Sequence, residues 1–470
     1  AVNLMAGNVE DYLPGEIINK ANLIELKNAI KQYHYPETLD DYHNARKRIV
    51  FDEFFIHQCA WLLKRKEYEA ARINFSTALK INPHFISAKL NLGSVYQNLG
   101  KNEEALSCFK DIKKTNNTLP AVYNNMGFIL YTQNKYSEAI KEINKAIELK
   151  KDYAEAFLNL GMVYLNLKEY KKAIKFFDQS LIYDKKLTSV YYYLGECYKN
   201  IDDINKALSY YTTSNHRKTN SKILECYFIL NKKKDFQKLI ASLSKKDPDS
   251  RRIAAISAYI SHQFNILNIH PFCKNPLNFV LINNIKKNME NNDLEIQELI
   301  KEIKEKKFTW ELFGKTTVGG SSAYNLTQLG MTSLSKLQNI LVYEISNYKE
   351  NFKNEDCTFI QKWPKKYKFN IWSNILKSEG YNTSHIHPAG WLSGGVYLKM
   401  PSKIKKNEAG IEFSLHGDNY PIKNKNIPTK TIIPEVCDLI LFPSSLFHKT
   451  IPFKSRDERM MIAFDIHKLS

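Results

Sequence analysis

Small and bulky apolar residues recur along the first half of the chain with a fixed step of 34 positions. The small residues are Gly93, Gly127, Gly161 and Gly195, together with Ala71, Ala105, Ala139, Ala173 and Ala207. The positions four residues after the alanines hold Phe75, Phe109, Ile143, Phe177 and Tyr211. A step of this length accommodates two helices with their turns, and small residues let the two helices approach closely. The pattern therefore predicts a stack of antiparallel helix pairs.

The sequence around these positions resembles the tetratricopeptide repeat. It reads Asn-Leu-Gly at 91–93 and Glu-Tyr-Lys-Lys-Ala-Ile-Lys-Phe-Phe at 169–177. The resemblance implies about five repeats over residues 51–214, stacked as an all-α solenoid in which each unit buries its apolar face on its neighbour. Proteins of this family commonly hold a peptide or a partner protein in a groove, so we expect such a partner here. The alternative is that the solenoid is only a scaffold.

Asparagines recur two residues before three of the glycines, at Asn91, Asn125 and Asn159. On successive helices they would form a ladder of amides. Such a ladder can donate to and accept from the backbone of an extended peptide without reading its side chains. We therefore predict that these asparagines bind peptide, and the alternative is that they are solvated residues without a role.

The segments that flank the repeats also show a helical period. We expect residues 1–50 to form an N-terminal helical segment and residues 215–270 to form a degenerate repeat with a basic bridging helix. In the second segment Ala241 keeps the 34-residue step, whereas Ile229 replaces the glycine. This segment contains eleven Lys and Arg against four Asp and Glu. We interpret the excess as a solvated helix face rather than a phosphate-binding patch.

From about residue 271 the helical period gives way to short apolar runs bounded by Gly, Pro or Asn. The main runs are 369–376, 392–399, 411–415, 438–442 and 460–466. Runs of this length and spacing predict the strands of a β-sandwich or barrel of the jelly-roll kind. The sequence thus predicts a multidomain α+β protein, with an all-α solenoid followed by a jelly-roll domain over residues 271–470.

Composition restricts the class of protein further. The chain has 470 residues, of which 43% are hydrophobic and 25% charged, as expected for several folded domains rather than for a disordered chain. The net charge of +19 raises the question of an anionic partner such as nucleic acid or a membrane surface. Charge alone does not distinguish one anionic partner from another, so it is weak support for nucleic-acid binding. We therefore do not expect a nucleic-acid partner.

The seven cysteines are scattered and never form a Cys-x-x-Cys pair. This spacing argues against a disulfide framework and a cysteine zinc site, and favours a reducing compartment. No run approaches the roughly 18 apolar residues that a transmembrane helix needs. The N-terminal text Ala-Val-Asn-Leu-Met-Ala has no basic region followed by an apolar stretch. We therefore expect a cytoplasmic protein without a transmembrane segment.

Three histidines in the β-rich region have the spacing of metal ligands. His385 and His387 form a His-x-His pair, and His448 follows a predicted strand. Alternate residues of an extended strand point the same way, so the pair converges on one point and a third ligand can come from a neighbouring strand. Arg459 follows eleven residues after His448. This order of residues predicts a metal site.

The same region resembles the iron(II)- and 2-oxoglutarate-dependent oxygenases from about residue 310 to the C-terminus. One branch of this family has His-x-His-Pro followed by Trp-Leu-Ser-Gly-Val-Tyr-Tyr, and this chain has His-Ile-His-Pro and then Trp-Leu-Ser-Gly-Gly-Val-Tyr at 391–397. Thr-Val-Gly-Gly-Ser-Ser-Ala-Tyr-Asn-Leu at 317–326 and Asp-Leu-Ile-Leu-Phe-Pro at 438–443 fit the same branch. The resemblance implies a double-stranded β-helix that uses Fe(II), 2-oxoglutarate and O2.

The resemblance also implies roles for individual residues. His385 and His448 occupy the places of the two family histidines. Arg459 corresponds to the arginine that binds the distal carboxylate of 2-oxoglutarate, a task suited to a planar fork of donors. Tyr397 is a candidate hydroxyl partner for that carboxylate, and Arg456 is the alternative clamp.

The third metal ligand departs from the family pattern. Most of the superfamily has His-x-Asp or His-x-Glu, whereas position 387 is histidine. We predict an all-histidine site that includes His387. The alternatives are Asp418 as the third ligand, or water in a site with two histidines.

The joined architecture suggests a function. Prolyl and aspartyl hydroxylases also combine such repeats with such a domain, so we predict a hydroxylase whose protein or peptide substrate is captured by residues 51–214. One alternative is a hydroxylase of a small molecule or glycan, and another is a non-catalytic scaffold with a degenerate β-domain. A glycosyltransferase is disfavoured because the C-terminal part lacks a Gly-rich βαβ nucleotide pattern.

Overall fold

The computed structural model describes residues 11, 18–19, 22–49, 67–81, 83–289, 292–306, 308–310, 316–328, 330–402 and 404–469. The chain divides into two compact units, a first unit Ala1–Tyr193 and a second unit Leu194–Ser470. The beginning of the predicted first repeat, at residues 51–66, lies outside the described residues. Within the described part of the chain, no helix has both the length and the apolar character needed to cross a membrane.

In the first unit, all regular secondary structure among the described residues is helical. Its helices are α1 (Leu26–His34), α2 (39–49), α3 (Tyr68–Ile81), α4 (Ile86–Asn98), α5 (Asn102–Thr115), α6 (Pro120–Thr132), α7 (Tyr136–Leu149), α8 (Ala154–Asn166), α9 (Tyr170–Tyr183) and the first part of α10 (Ser189–Asn200). From α4 to α9 the helices form successive pairs at the predicted step. The prediction of a tetratricopeptide solenoid is confirmed.

Each repeat is held together where a glycine of its first helix meets a bulky residue of its second. A Cβ atom added at Gly161 would lie 2.5 Å from Cε1 of Phe177, closer than real Cβ contacts. The same approach joins Gly93 to Phe109, Gly127 to Ile143 and Gly195 to Tyr211. Only glycine leaves room for the bulky side chain, which explains the spacing of the small residues.

The second unit contains helices that precede its strands in the sequence or lie between the first four of them. Its helices are α11 (Ile204–Thr213), α12 (Thr219–Ile229), α13 (Lys233–Lys246), α14 (Arg251–Gln263), α15 (Asn292–Lys304), α16 (Thr332–Asn351) and α17 (Thr358–Gln361). Its strands are β1 (Leu281–Asn284), β2 (Thr309–Trp310), β3 (Thr317–Ala323), β4 (Tyr367–Asn382), β5 (Leu392–Lys399), β6 (Ile411–Ser414), β7 (Thr429–Ile432), β8 (Asp438–Pro443), β9 (Phe447–Thr450) and β10 (Arg459–Lys468).

Helices of the segment 215–270 pack against the β-rich region. An apolar cluster joins Phe228 of α12 and Tyr259 of α14 to Ile386 and Phe447, which belong to the β-rich region. The Tyr259 hydroxyl also donates to the carbonyl oxygen of Pro421 at 2.7 Å. These helices therefore share one compact unit with the strands.

The strands form two antiparallel sheets. The large sheet has the order β1-β8-β5-β10-β4-β3-β2, and the small sheet has the order β7-β6-β9. Phe413 of the small sheet packs against Phe442 of the large sheet in the apolar layer between them. The other face of the large sheet carries Ile462 and Phe464, which pack in one cluster with Leu341 of α16. This arrangement confirms the prediction of a helical solenoid that is followed in the sequence by a sandwich of antiparallel sheets.

Candidate active site

A cavity of about 1010 Å³ lies in the second unit, and alternate residues of strand β10 form part of its lining. The residues of β10 that line the cavity are Arg459, Met461, Ala463, Asp465 and His467. The residues between them, Met460, Ile462, Phe464 and Ile466, pack in the apolar core on the helical side of the sheet. Because successive side chains of a strand point to opposite faces, one strand serves both the core and the cavity.

The three histidines predicted as ligands lie together in this cavity. One ring nitrogen from each of His385, His387 and His448 lies within 4.8 Å of the others. The backbones of His385 and His448 pair directly, since each N–H donates to the other residue's carbonyl oxygen at 3.1 Å. The N–H of His387 donates to the Ser444 carbonyl at 3.0 Å, so the His-x-His segment is extended beside the turn between β8 and β9. The structure thus brings all three side chains together.

Hydrogen bonds orient all three imidazole rings in the same way. Nδ1 of His385 donates to the Thr383 carbonyl at 2.7 Å, and Nδ1 of His448 donates to the Leu446 carbonyl at 3.2 Å. Nδ1 of His387 donates to a carboxylate oxygen of Asp465 at 2.5 Å. A carbonyl or a carboxylate only accepts, so the neutral ring must carry its proton on Nδ1. Each Nε2 is then left with a free lone pair, which is what a metal ligand requires.

The surroundings keep two of these rings uncharged. Burial, with a smaller contribution from neighbouring His387, lowers the pKa of His385 to about 3. Burial and the two neighbouring histidines hold the pKa of His448 well below its ordinary value. Both rings are therefore neutral near pH 7, the form that binds a divalent metal.

Asp465 is a site residue that the sequence analysis missed. Its buried carboxylate accepts hydrogen bonds from His387 and from the Ser393 hydroxyl, the latter at 2.7 Å. Burial alone would raise the pKa of Asp465, but the interactions with His387, and then those with His467 and Ser393, lower it below the usual range. A negative charge therefore lies directly behind one candidate ligand. Asp465 could have been found from its position in the sequence. It lies six residues after Arg459 in the same strand, and an even spacing places both side chains on the same face.

Arg459 lies at the other end of β10 with an incomplete set of partners. Its side chain is 1% exposed, and Nε donates to the Ala409 carbonyl at 3.0 Å. Nη1 contacts the Met461 sulfur at 3.5 Å, and Nη2 has no hydrogen-bond partner among the residues that the structure describes. A buried cation without a carboxylate is costly, and an anionic ligand in the cavity would remove that cost. The residue therefore fits the carboxylate clamp predicted for 2-oxoglutarate.

Tyr397 lies beside this guanidinium. The Arg459 Cζ atom is 4.9 Å from the centre of the Tyr397 ring, and both residues line the cavity. Burial raises the pKa of Tyr397, although Arg459 partly offsets the rise. The hydroxyl consequently keeps its proton and is available as a donor to a carboxylate.

The alternative residues lie elsewhere. A carboxylate oxygen of Asp418 lies 3.8 Å from Nη1 of Arg252, and this aspartate is not part of the histidine group. Arg456 is exposed and does not line the cavity. The structure therefore groups His387, and neither of these two residues, with the other candidates.

The predicted asparagine ladder lies in the first unit, on α4, α6 and α8. All three side chains are half-buried. Asn125 Nδ2 donates to the Ser94 hydroxyl at 3.4 Å, and Asn159 Nδ2 donates to Oδ1 of Asn124 at 2.9 Å. Two of the three amides thus bond to the preceding repeat, which uses part of their hydrogen-bonding capacity.

Comparisons with known protein families find matches in both parts of the chain. Residues 370–465 match the family described as "Putative 2OG-Fe(II) oxygenase". Tetratricopeptide-repeat families match residues 86–117, 129–168 and 154–186.

Similarity to individual proteins is more limited. A stretch of 59 residues is 48% identical to the ATP-dependent DNA helicase RecG of Synechocystis sp., covering 13% of this chain and 7% of that protein. The Pseudomonas aeruginosa pilF structure is 21% identical, covers 44% of this chain and 96% of its own, and has a TM-score of 0.38. A tetratricopeptide repeat protein from Parabacteroides merdae is 17% identical over 53% of this chain and 97% of its own, with a TM-score of 0.37. The chain thus joins stretches that match tetratricopeptide-repeat families to a stretch, residues 370–465, that matches the family described as "Putative 2OG-Fe(II) oxygenase".

Proposed function

We propose that this protein is an Fe(II)- and 2-oxoglutarate-dependent dioxygenase that hydroxylates a protein or peptide captured by its repeats. The observation that carries the proposal is the single cavity that contains both the three histidines and the uncompensated guanidinium of Arg459. One group of residues suits a metal and the other suits a carboxylate. The cosubstrate 2-oxoglutarate needs both kinds of partner.

Each residue has a separate task in this mechanism. His385, His387 and His448 would hold Fe(II) through their Nε2 atoms, and Asp465 fixes the ring of His387. Arg459 would bind the distal carboxylate of 2-oxoglutarate, assisted by the Tyr397 hydroxyl. Bound Fe(II), with O2, supplies the oxidising power that converts 2-oxoglutarate and a substrate C–H group into succinate, carbon dioxide and a hydroxylated product.

The size of the cavity supports a substrate larger than the cosubstrate alone. Its volume of about 1010 Å³ is at the upper end of the roughly 300–1,000 Å³ typical of small-ligand sites. Space therefore remains beside a bound 2-oxoglutarate for the side chain that is oxidised. We assign capture of the rest of the peptide to the first unit, through the amides of Asn91, Asn125 and Asn159, and we place the reaction in the cytoplasm.

Metal-dependent turnover tests the proposal. The full chain is loaded anaerobically with Fe(II) and then given 2-oxoglutarate and air. We expect succinate to form, and His448→Ala should reduce its rate by at least about 100-fold, since the substitution removes a metal ligand. His262→Ala is the matched control, because His262 belongs to α14 and does not line the cavity. Equal rates for the wild type and both variants would refute a metal-dependent reaction at this site.

The assignment of a peptide substrate needs a separate test. Simultaneous replacement of Asn91, Asn125 and Asn159 by alanine should raise KM for a peptide substrate without changing the succinate rate measured in the absence of peptide. If the substrate is instead a small molecule or glycan, the triple variant will have the wild-type KM for that substrate. This outcome would leave the oxygenase assignment intact and remove the role of the repeats in capture.

A further inference from the structure

Part of the cavity is lined by residues at the beginnings of two helices rather than by strands. Four of these residues are cationic. Arg217 and Lys218 directly precede α12, and Arg251 and Arg252 begin α14. We call these four residues the cationic wall. They come from the basic segment 215–270, whose charge the sequence analysis interpreted as a solvated helix face. The structure instead places these four residues at the cavity.

The cationic wall is fixed close to the histidines. Nε of Arg251 donates to the Pro388 carbonyl at 3.1 Å, and Pro388 directly follows His387 in the chain. A second donor of the same guanidinium, Nη1, bonds to the Asp249 carbonyl at 2.7 Å. Arg251 thus ties the beginning of α14 to the segment that carries the candidate ligands.

Few carboxylates neutralise the cationic wall. Nη1 of Arg252 lies 3.8 Å from a carboxylate oxygen of Asp418, a long distance for an ion pair. Within the described part of the chain, the side chains of Arg217 and Lys218 form no ion pair. Burial, and then repulsion from Arg252 and Lys222, lower the pKa of Lys218. The positive charges are therefore concentrated rather than compensated.

Two aspartates on the same side of the cavity reduce this charge only in part. Asp247 and Asp249 line the cavity beside the cationic wall. A carboxylate oxygen of Asp249, however, also lies 3.5 Å from Nζ of Lys362, so its charge is shared. Even with Asp418 counted, four cations face three carboxylates, which leaves this side of the cavity net positive.

We propose that the cationic wall binds acidic side chains of a peptide substrate, next to the residue that is presented to the histidines. This inference rests on the proposed function, because it assumes that a peptide enters the cavity. Positive side chains spread over two helix ends match a short run of carboxylates along a peptide better than a single anion. Their attraction would concentrate acidic peptides at the cavity and exclude basic ones.

Binding of defined peptides by the full chain tests the inference without requiring turnover. The probes are fluorescein-labelled Glu-Ala and Gln-Ala repeats of ten residues, which differ only in charge, measured by fluorescence anisotropy at low salt. The test variant is Arg217→Glu with Lys218→Glu. The matched control is Lys234→Glu with Lys238→Glu, which makes the same change of charge on exposed residues of α13 outside the cavity. Arg252→Gln is a second test variant in case the double variant does not fold.

The wild type should bind the Glu-Ala peptide at least about tenfold more tightly than the Gln-Ala peptide. The test variants should lose this preference, and the control should keep its affinity within about twofold. Equal affinity for the two peptides, or an equal loss in the control, would overturn the inference. Displacement of the Glu-Ala peptide by inorganic phosphate at low millimolar concentration would also overturn it and assign the wall to a phosphate group. Succinate formation by the wild type is scored separately, so failure of the oxygenase proposal remains distinguishable.

Discussion

The contacts that hold the repeats together and those that build the cavity differ in how far apart their residues lie in the sequence. In the repeats, each close approach joins residues only 16 positions apart, as in Gly161 and Phe177, and the same contact recurs in successive units. In the cavity, His387 bonds to a residue 78 positions away, Asp465, and no second copy of that contact exists in the described residues. Local and repeated contacts leave a pattern in the sequence that long-range contacts do not. The difference predicts that damage in the two regions has different consequences.

The largest effect is expected at the carboxylate clamp. Arg459→Lys keeps a positive charge but loses the planar fork, so it should raise KM for 2-oxoglutarate about 100-fold. Metal affinity should stay unchanged, because Arg459 is not one of the grouped histidines. Succinate formation gives KM, and anaerobic titration with Mn(II) gives metal affinity. Arg456→Lys is the control, and a raised KM in that variant alone would transfer the clamp to Arg456.

A smaller effect is expected at Asp465, which lies behind the proposed metal site. Asp465→Asn keeps the shape of the side chain but removes the negative charge beside His387, so metal affinity should fall about 10- to 100-fold. Asp438→Asn is a matched control, because Asp438 is also buried in the large sheet but bonds to Asn284 Nδ2 at 2.9 Å. Anaerobic titration with Mn(II) measures both variants. Equal losses of affinity would show that Asp465 has no specific effect on the ligands.

A substitution at a close contact in the repeats should lower stability without changing metal affinity. Gly161→Ala forces a methyl group against the Phe177 ring and should lower the free energy of unfolding by about 1–3 kcal/mol. Adding Phe177→Leu should cost less than the sum of the two single changes, because it makes room for that methyl group. Far-ultraviolet circular dichroism in urea measures these energies, and metal affinity should stay at the wild-type value. Strict additivity of the two costs would contradict the close contact.

The smallest effect concerns a buried histidine of the second unit that lies outside the ligand group. Burial lowers the pKa of His270 to about 4, whereas an unfolded chain has a histidine pKa near 6.5. Between these values the unfolded chain binds the proton first, so stability falls as pH decreases. The contribution lost by pH 5.5 is about 1 kcal/mol. Urea unfolding followed by tryptophan fluorescence should show a shallower pH dependence in His270→Gln, and parallel profiles would contradict this.

The contrast in range also explains what the sequence predicted. The helix pairs and the strands follow from periods of 34 and 2, which depend on neighbours in the chain. The structure brings together His385, His387, His448 and Arg459, which were found because their spacing and surrounding motifs could be compared with a known pattern. These residues are the predicted ligands and the predicted clamp, and they form only part of the lining of the cavity.

Two parts of the site could not be predicted from the sequence. Asp465 becomes a partner of His387 only because β10 pairs with β5 and β4 in the large sheet. The cationic wall reaches the cavity only because α14 docks on the segment after His387, through Arg251. Both features depend on the packing of elements that are distant in the sequence. That packing cannot be deduced from the charge or the hydrophobic period of β10 or of segment 215–270.

The alternation along β10 makes the site vulnerable to changes in chain length. Arg459 and Asp465 both face the cavity because they lie an even number of positions apart. Ile462 lies an odd number of positions from each of them and therefore faces the core. Loss or gain of one codon between Arg459 and Asp465 would turn part of the strand over, placing apolar side chains in the cavity and a carboxylate or guanidinium in the core. Reading a related chain for its activity therefore requires counting the residues of this strand as well as finding its histidines.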